Sequence, residues 1–212
     1  MGGVLNSIAH VPLHLLRQQS TLTDSPRATW QTALVMCEHI RRDSRHPVVV
    51  ATARRICAAA RCRSASDAVR AVWLYVKQSL RFVHHEDQIA RLFGERDQLQ
   101  LLIAPAAILQ MNDPAGDCAI YTMLCCALLA ALGVRTQVVC LCCDRSDPSR
   151  FSHVYARAYL PESNSWLACD ASHGSFPGWK VPARDTFREQ IYDLNGNCAS
   201  DVVMARTGGT RE

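Results

Sequence analysis

AGDCAIYTMLCCALLAALGVR, residues 115–135, is the stretch from which the rest of the chain is read. Fourteen of the fifteen residues from Cys118 to Leu132 are apolar, Thr122 being the exception. A helix that is apolar on all sides is one that is buried on all sides. Gly133 suits its stop. Its start is less ordinary, because Asp117 can cap the first turn and thereby sets Cys118 at the mouth of the helix. A thiolate is the nucleophile, and two devices favour it: the positive end of a helix and a neighbouring imidazolium. Taken alone, Cys118 fits a nucleophile and a buried core sulfur about equally well.

Upstream, DSPRATWQTALVMCEHIRR predicts a helix capped by Ser25, with Pro26 in its first position and Trp30, Leu34, Cys37 and Ile40 or His39 facing inward. A second helix follows Pro47 and runs to about Arg61, with Val50, Ala53, Ile56, Cys57 and Ala60 inward. A third begins at Ser64, where Asp67 completes a capping box with Asp in place of Glu; its apolar stripe is Val69, Val72, Trp73, Val76 and Leu80. Residues 1–24 read as irregular or partly extended, and 81–114 as mixed. Downstream, VRTQVVCLCC, SHVYARAYL and SWLACD read as strands, the last two joined by a turn at PESN, and TFREQIYDL as a final strand. Helices first and an antiparallel sheet second make an α+β layout.

Bulk composition narrows the functional classes. The 212 residues are 49% apolar and 20% charged, an ordinary globular balance, with a net charge of +4. That charge is too small and too dispersed to point to nucleic acid, and the groups Arg41-Arg42-Arg45 and Arg54-Arg55-Arg61-Arg63 read as solvated helix faces. No membrane span is expected, since the longest apolar run is too short, and the N-terminus does not read as a signal peptide. Eleven cysteines, an odd number that includes the adjacent pairs Cys125-Cys126 and Cys142-Cys143, fit free thiols in a reducing compartment better than a disulfide framework.

Partners for Cys118 lie on the predicted strands. His153 begins one and Asp170 ends the next. A tight turn between Pro161 and Glu162 pairs 153 with 170; a loop over Pro161–Ser165 sets 153 opposite His173. Either way Asp170 lies within one or two residues of His153 across the hairpin, near enough to orient an imidazole through its second nitrogen.

PAGDCAIYTMLCCALLAALGVRTQVV followed by FSHVYARAYLPESNSWLACDAS resembles the core of the transglutaminase-like superfamily, over roughly residues 112–175. The resemblance implies a papain-like helix-on-sheet fold. It also implies Cys118 as nucleophile, His153 as general base and acid, and Asp170 as orienting carboxylate. On this reading 1–110 is an N-terminal helical region, 111–194 the catalytic core and 195–212 a polar tail, together one compact domain. The implied reaction is acyl transfer on amide bonds through a thioester, with hydrolysis the expected outcome and a peptide or protein, including peptidoglycan or a virion protein, as substrate. No cofactor and no metal are expected. The wider phrases PSRFSHVY and DASHGSFPGW are similar to members encoded by tailed bacteriophages and prophages. These imply a protein of the bacterial host cytoplasm or of a virion, with tail or virion neighbours; a structural or assembly part that works by binding is the alternative to an enzyme. Many such members carry acidic residues just after the cysteine, where this chain has Ala119 and Ile120.

Other candidates are weaker. The backbone at Gly116, the Asp117 cap and the Cys118 amide are placed to meet an oxyanion; Gln110 is the first side-chain candidate for that role and Trp73 a lesser one, while Trp179 fits a substrate wall. His173 is the rival of His153. Cys140 and Cys143 form one C-x-x-C spacing without a second pair, which favours core sulfur over zinc. His84-His85-Glu86-Asp87 reads as an exposed loop rather than a metal site, and Tyr155, Arg157 and Tyr159 either line the cleft or cover the sheet.

Overall fold

A computed structural model describes residues 16–19, 26–84, 87 and 100–204. The elements in chain order are β1 (Leu16–Gln19), α1 (Pro26–Asp43), α2 (Pro47–Ala60), α3 (Ala65–Ser79), β2 (Arg81–Phe82), β3 (Gln100–Ile103), α4 (Pro105–Ile108), β4 (Ala115–Gly116), α5 (Cys118–Ala131), β5 (Thr136–Cys142), β6 (His153–Leu160), β7 (Ser165–Cys169), β8 (Arg188–Asp193) and β9 (Cys198–Val203). Five antiparallel strands in the order β7-β6-β5-β8-β9 form the main sheet. The α+β layout expected from the sequence is the one observed.

α5 is the centre of the molecule. Every residue from Ala119 to Leu129 is buried, which is why its sequence lacks a polar face. It packs on the sheet face formed by Val138, Cys140, Val154, Ala156 and Ala158, and α1, α2 and α3 close around its remaining sides. The opposite face of the sheet carries a small cluster of Val139, Leu141, Tyr155 and Ile191. Gly133, at φ 79°, ends the helix in the left-handed conformation, and the Val134 amide closes back on the Leu129 carbonyl at 3.0 Å.

α3 follows its reading closely. Val69, Val72, Trp73, Val76 and Leu80 are buried, and the Ser64–Asp67 capping box forms on both sides. Glu162, from the loop between β6 and β7, accepts the Ser66 amide at 2.8 Å and ties that loop to the first turn of α3. The seven arginines read as solvated helix faces are all exposed.

Four expectations need correction. Trp30 is 44% exposed, because the burial of α1 begins a turn later at Ala33. In α2 the buried residues are Val49, Thr52, Ala53 and Ile56; Val50 and Cys57 are half-buried and Ala60 is exposed, since the last turn projects beyond its neighbours. Residues 198–203, expected in the polar tail, instead pair with β8 as β9. The β6–β7 register is neither of the two expected: Leu160 pairs with Ser165 across a four-residue loop in which Asn164, at φ 49°, takes the left-handed position. Carried three residues beyond its last pair, Ala156 with Cys169, that register sets Ser172 opposite His153. Ser25 and His85 lie outside the described residues.

Candidate active site

The first turn of α5 is held from below by backbone. β4 runs parallel to the two-residue β2, and the Val83 amide donates to the Gly116 carbonyl at 3.0 Å. A Cβ at Gly116 would stand 2.6 Å from the Cβ of Ile120, so the absent side chain is what lets the strand pass under the helix. Asp117 is the N-cap: its Oδ1 accepts the amides of Ala119 and Ile120 at 3.0 and 3.2 Å. The Tyr121 amide closes on the Asp117 carbonyl. Of the first four amides of α5, only that of Cys118 has no partner among the described residues.

The Cys118 side chain is half-buried. Thr122, the lone polar residue of the helix, lies one turn on. Its Oγ1 sits 2.7 Å from the Cys118 carbonyl and 3.1 Å from the Val154 carbonyl, a hydroxyl shared between helix and strand. The first turn of α5 and the first residues of β6 are thereby brought to the same corner of the molecule.

His153 is buried, and its Nε2 is 2.8 Å from Asp170 Oδ2. Because an ionised carboxylate can only accept, Nε2 carries the hydrogen, and in the neutral ring the lone pair resides on Nδ1. Asp170, 2% exposed, is caged. Its Oδ1 accepts from the Ser172 amide, the Ser172 hydroxyl and the His173 amide at 3.1, 2.8 and 3.0 Å, and its carbonyl accepts the Trp73 indole N–H at 2.8 Å and the Gly174 amide at 3.1 Å. At Gly174 a Cβ would fall 2.3 Å from that same carbonyl, so the turn requires glycine. Lys77, one turn beyond Trp73, donates to the Gly174 carbonyl at 2.7 Å.

Electrostatics move Asp170 and Cys118 in opposite directions.

 Burial of Asp170 pushes its carboxyl up, but the His153 hydrogen bond and charge, with the His173 amide and the Ser172 hydroxyl, outweigh it and bring the group down to about 2. Burial pushes the Cys118 thiol well up, the neighbouring Asp117 charge adds to this, and the Val154 amide opposes both. Burial and the Asp117 charge both favour the thiol over the thiolate. Burial also lowers His173, with the charge of His153 the next cause.

The sequence profile of the transglutaminase-like superfamily matches residues 50–171, more than half of the chain and a span that contains Cys118, His153 and Asp170. The chain belongs to the transglutaminase-like superfamily. Among solved structures, this superfamily member is similar to a protein from Parabacteroides distasonis described as a "putative protease", at 10% identity and a TM-score of 0.48, over 84% of this chain and 31% of that one. It is also similar to a "putative cysteine protease" from Cytophaga hutchinsonii, at 17% identity and a TM-score of 0.36, over 65% of this chain and 43% of that one. The chain thus spans less than half the length of either. A comparison with curated proteins finds no match.

The other sequence candidates are distributed unevenly around this superfamily core. Gln110 is exposed and donates from Nε2 to the Ala106 carbonyl at 2.7 Å, one turn back in its own segment. Trp73 spends its N–H on Asp170, which gives it a positioning contact rather than the oxyanion role. Trp179 is half-buried, and its amide closes a turn on the Phe176 carbonyl. Tyr155 is buried in the cluster on the far face of the sheet. Arg157 donates to Gln137 at 2.8 Å and lies over Trp166, while Arg135 lies over Tyr159, 3.9 Å from its ring centre. These side chains cover the sheet. His173 is close to the site without replacing His153: the two rings meet edge to face at 4.7 Å, and Phe82 meets His173 in the same way at 5.0 Å. Phe82 and His84, 5.2 Å apart, belong to this rim and were not singled out from the sequence as site neighbours.

Proposed function

We propose that this chain is a cysteine-nucleophile enzyme that cleaves amide bonds by acyl transfer. The observation that supports it best is the His153 ring oriented by Asp170 at the start of the strand to which Thr122 ties the first turn of α5. In the proposed reaction His153 Nδ1 takes the thiol proton as the sulfur attacks an amide carbonyl. The Cys118 amide at the start of α5, without a partner among the described residues, receives the developing oxyanion. His153 then returns the proton to the leaving nitrogen, the C–N bond breaks and a thioester remains. Attack by water, with His153 again accepting a proton, releases a carboxylic acid and restores the thiol. Asp170 holds the ring and balances its charge. Gln110, whose amide keeps a second hydrogen, and Trp179 are the proposed substrate contacts; Gly116 and Asp117 set the position of the first turn.

Water as the second acceptor makes this a peptidase or amidase; an amine in its place would make a crosslink. The expectation of a phage origin, and of a tail or virion role, rests on sequence phrases alone. Wild-type protein and the Cys118→Ala variant, incubated with peptidoglycan and with a mixed peptide library and read by mass spectrometry, test the proposal. New cleavage products, or an acyl adduct on Cys118, from the wild type alone are expected. Identical spectra from the two proteins would remove the reading.

A further inference from the structure

We propose that His153, Asp170 and His173 form a binding site for a zinc-type divalent ion, and that occupation of this site holds the histidine base out of use. The metal site stands on geometry alone; its inhibitory effect rests on the function proposed above.

One nitrogen from each histidine and one carboxylate oxygen lie within 4.8 Å of one another. A tetrahedral ion with bonds of about 2.0–2.1 Å needs its donors some 3.4 Å apart, so the widest pair has to close by little more than an ångström. His173 is the exposed member of the three and is able to supply that movement, while the buried pair His153 Nε2 and Asp170 Oδ2, 2.8 Å apart, has to open by about 0.6 Å when the hydrogen between them is gone. Two imidazoles and a carboxylate are a borderline donor set, suited to zinc, cobalt or nickel rather than to calcium or magnesium.

The surrounding hydrogen bonds prepare the donors. The Ser172 hydroxyl gives its hydrogen to Asp170 Oδ1 at 2.8 Å, so toward His173 Nδ1, 3.0 Å away, it can only accept. His173 therefore carries its hydrogen on Nδ1 and presents an unprotonated Nε2, the form that binds metal. Asp170 Oδ1 is held by three donors, which leaves Oδ2 as the oxygen to share. That oxygen is 2.8 Å from His153 Nε2, and a metal bound to both replaces the hydrogen between them. The balance is simple: one ion enters at Nε2, the hydrogen there passes through solvent to Nδ1 so that the ring stays a neutral imidazole, and water completes the coordination. The ring is then fixed by the ion, and Nδ1, now carrying the hydrogen, has no lone pair to take a proton.

Calorimetric titration with zinc chloride, on the wild type and on Cys118→Ala, tests the site without reference to turnover. One ion per chain is expected in both proteins. His173→Ala, a change at an exposed side chain, should weaken binding by about tenfold or more, and His173→Gln should do the same if the contact is coordination rather than packing. Cobalt(II) in place of zinc should give visible d–d bands without a sulfur-to-cobalt band in the near ultraviolet. No binding, equal binding after the His173 substitutions, or a strong sulfur band would overturn the site. Zinc that binds as described should slow alkylation of Cys118 by iodoacetamide; if it binds and the rate is unchanged, the site stands and the base role of His153 is what fails.

Discussion

Trp73 on α3 donates its indole N–H to the backbone carbonyl of Asp170, 97 residues further along the chain, at 2.8 Å. The helices that precede α5 are thereby part of the machinery that seats the acid. Replacing Trp73 by Phe keeps a ring in the core and removes the donor, leaving a buried carbonyl with one partner fewer. A loss of about 1–3 kcal/mol in urea unfolding is expected, with slower alkylation of Cys118 than in the wild type. Stability and alkylation both unchanged would show that the contact is incidental.

Asp117 has two opposed effects. Its carboxylate caps α5 through Ala119 and Ile120, and its charge holds the Cys118 thiol up. Asn caps a helix about as well as Asp but carries no charge. Asp117→Asn should therefore raise the rate of Cys118 alkylation near neutral pH several-fold while shifting the midpoint of unfolding little. Peptide mapping must accompany the rate, because Cys198 is exposed and competes for reagent.

The acid limb of stability should carry the signature of Asp170. Its carboxyl is lowered from 3.8 to about 2, so the folded state favours the ionised form. This contribution is fully present above about pH 4 and is lost as pH falls through the folded value near 2. One pKa unit corresponds to about 1.4 kcal/mol, so the loss over that window is roughly 2 kcal/mol. Unfolding measured between pH 5 and pH 2 should show it, and Asp170→Asn should flatten the curve in that window.

Gly116 has no space for a side chain, since Ile120 would stand 2.6 Å from an added Cβ. Gly116→Ala should cost about 1–3 kcal/mol by overpacking. It should also lower any cysteine-dependent activity, because the displaced turn is the one that carries Cys118. The double variant Gly116→Ala, Ile120→Val should recover part of the stability if the clash is the cause.

Local patterns in the sequence were enough for the parts of this molecule that depend on nearest neighbours along the chain. The buried helix was legible because no polar stripe interrupts residues 123–132, and the capping box at Ser64 because both of its partners lie within three residues of each other. Contacts closed by the fold were not legible in this way. Thr122 stood out as the polar exception in α5, but its bond to the Val154 carbonyl depends on where β6 crosses the helix. The register of the β6–β7 hairpin depended on the left-handed conformation of a single residue, Asn164, and fell between the two expected pairings. Phe82 and His84 lie on the site's rim because the two-residue β2 pairs in parallel with β4, an arrangement too short to leave a periodic signal. Ser172 had the one available clue, its position two residues after an aspartate at the end of a strand.

β6 lies between β5 and β7, with His153 as its first residue, opposite Leu141. Length changes are therefore tolerated very differently on the two sides of that position. In the connection from 143 to 152 an added or lost residue alters only the reach of a loop. Within 154–160 the same change would turn every later side chain of the strand through the sheet, exchanging Ala156 and Ala158 for Arg157 and Tyr159 against the buried helix. Homologues of this chain should vary freely in length before the histidine and scarcely at all in the seven residues after it.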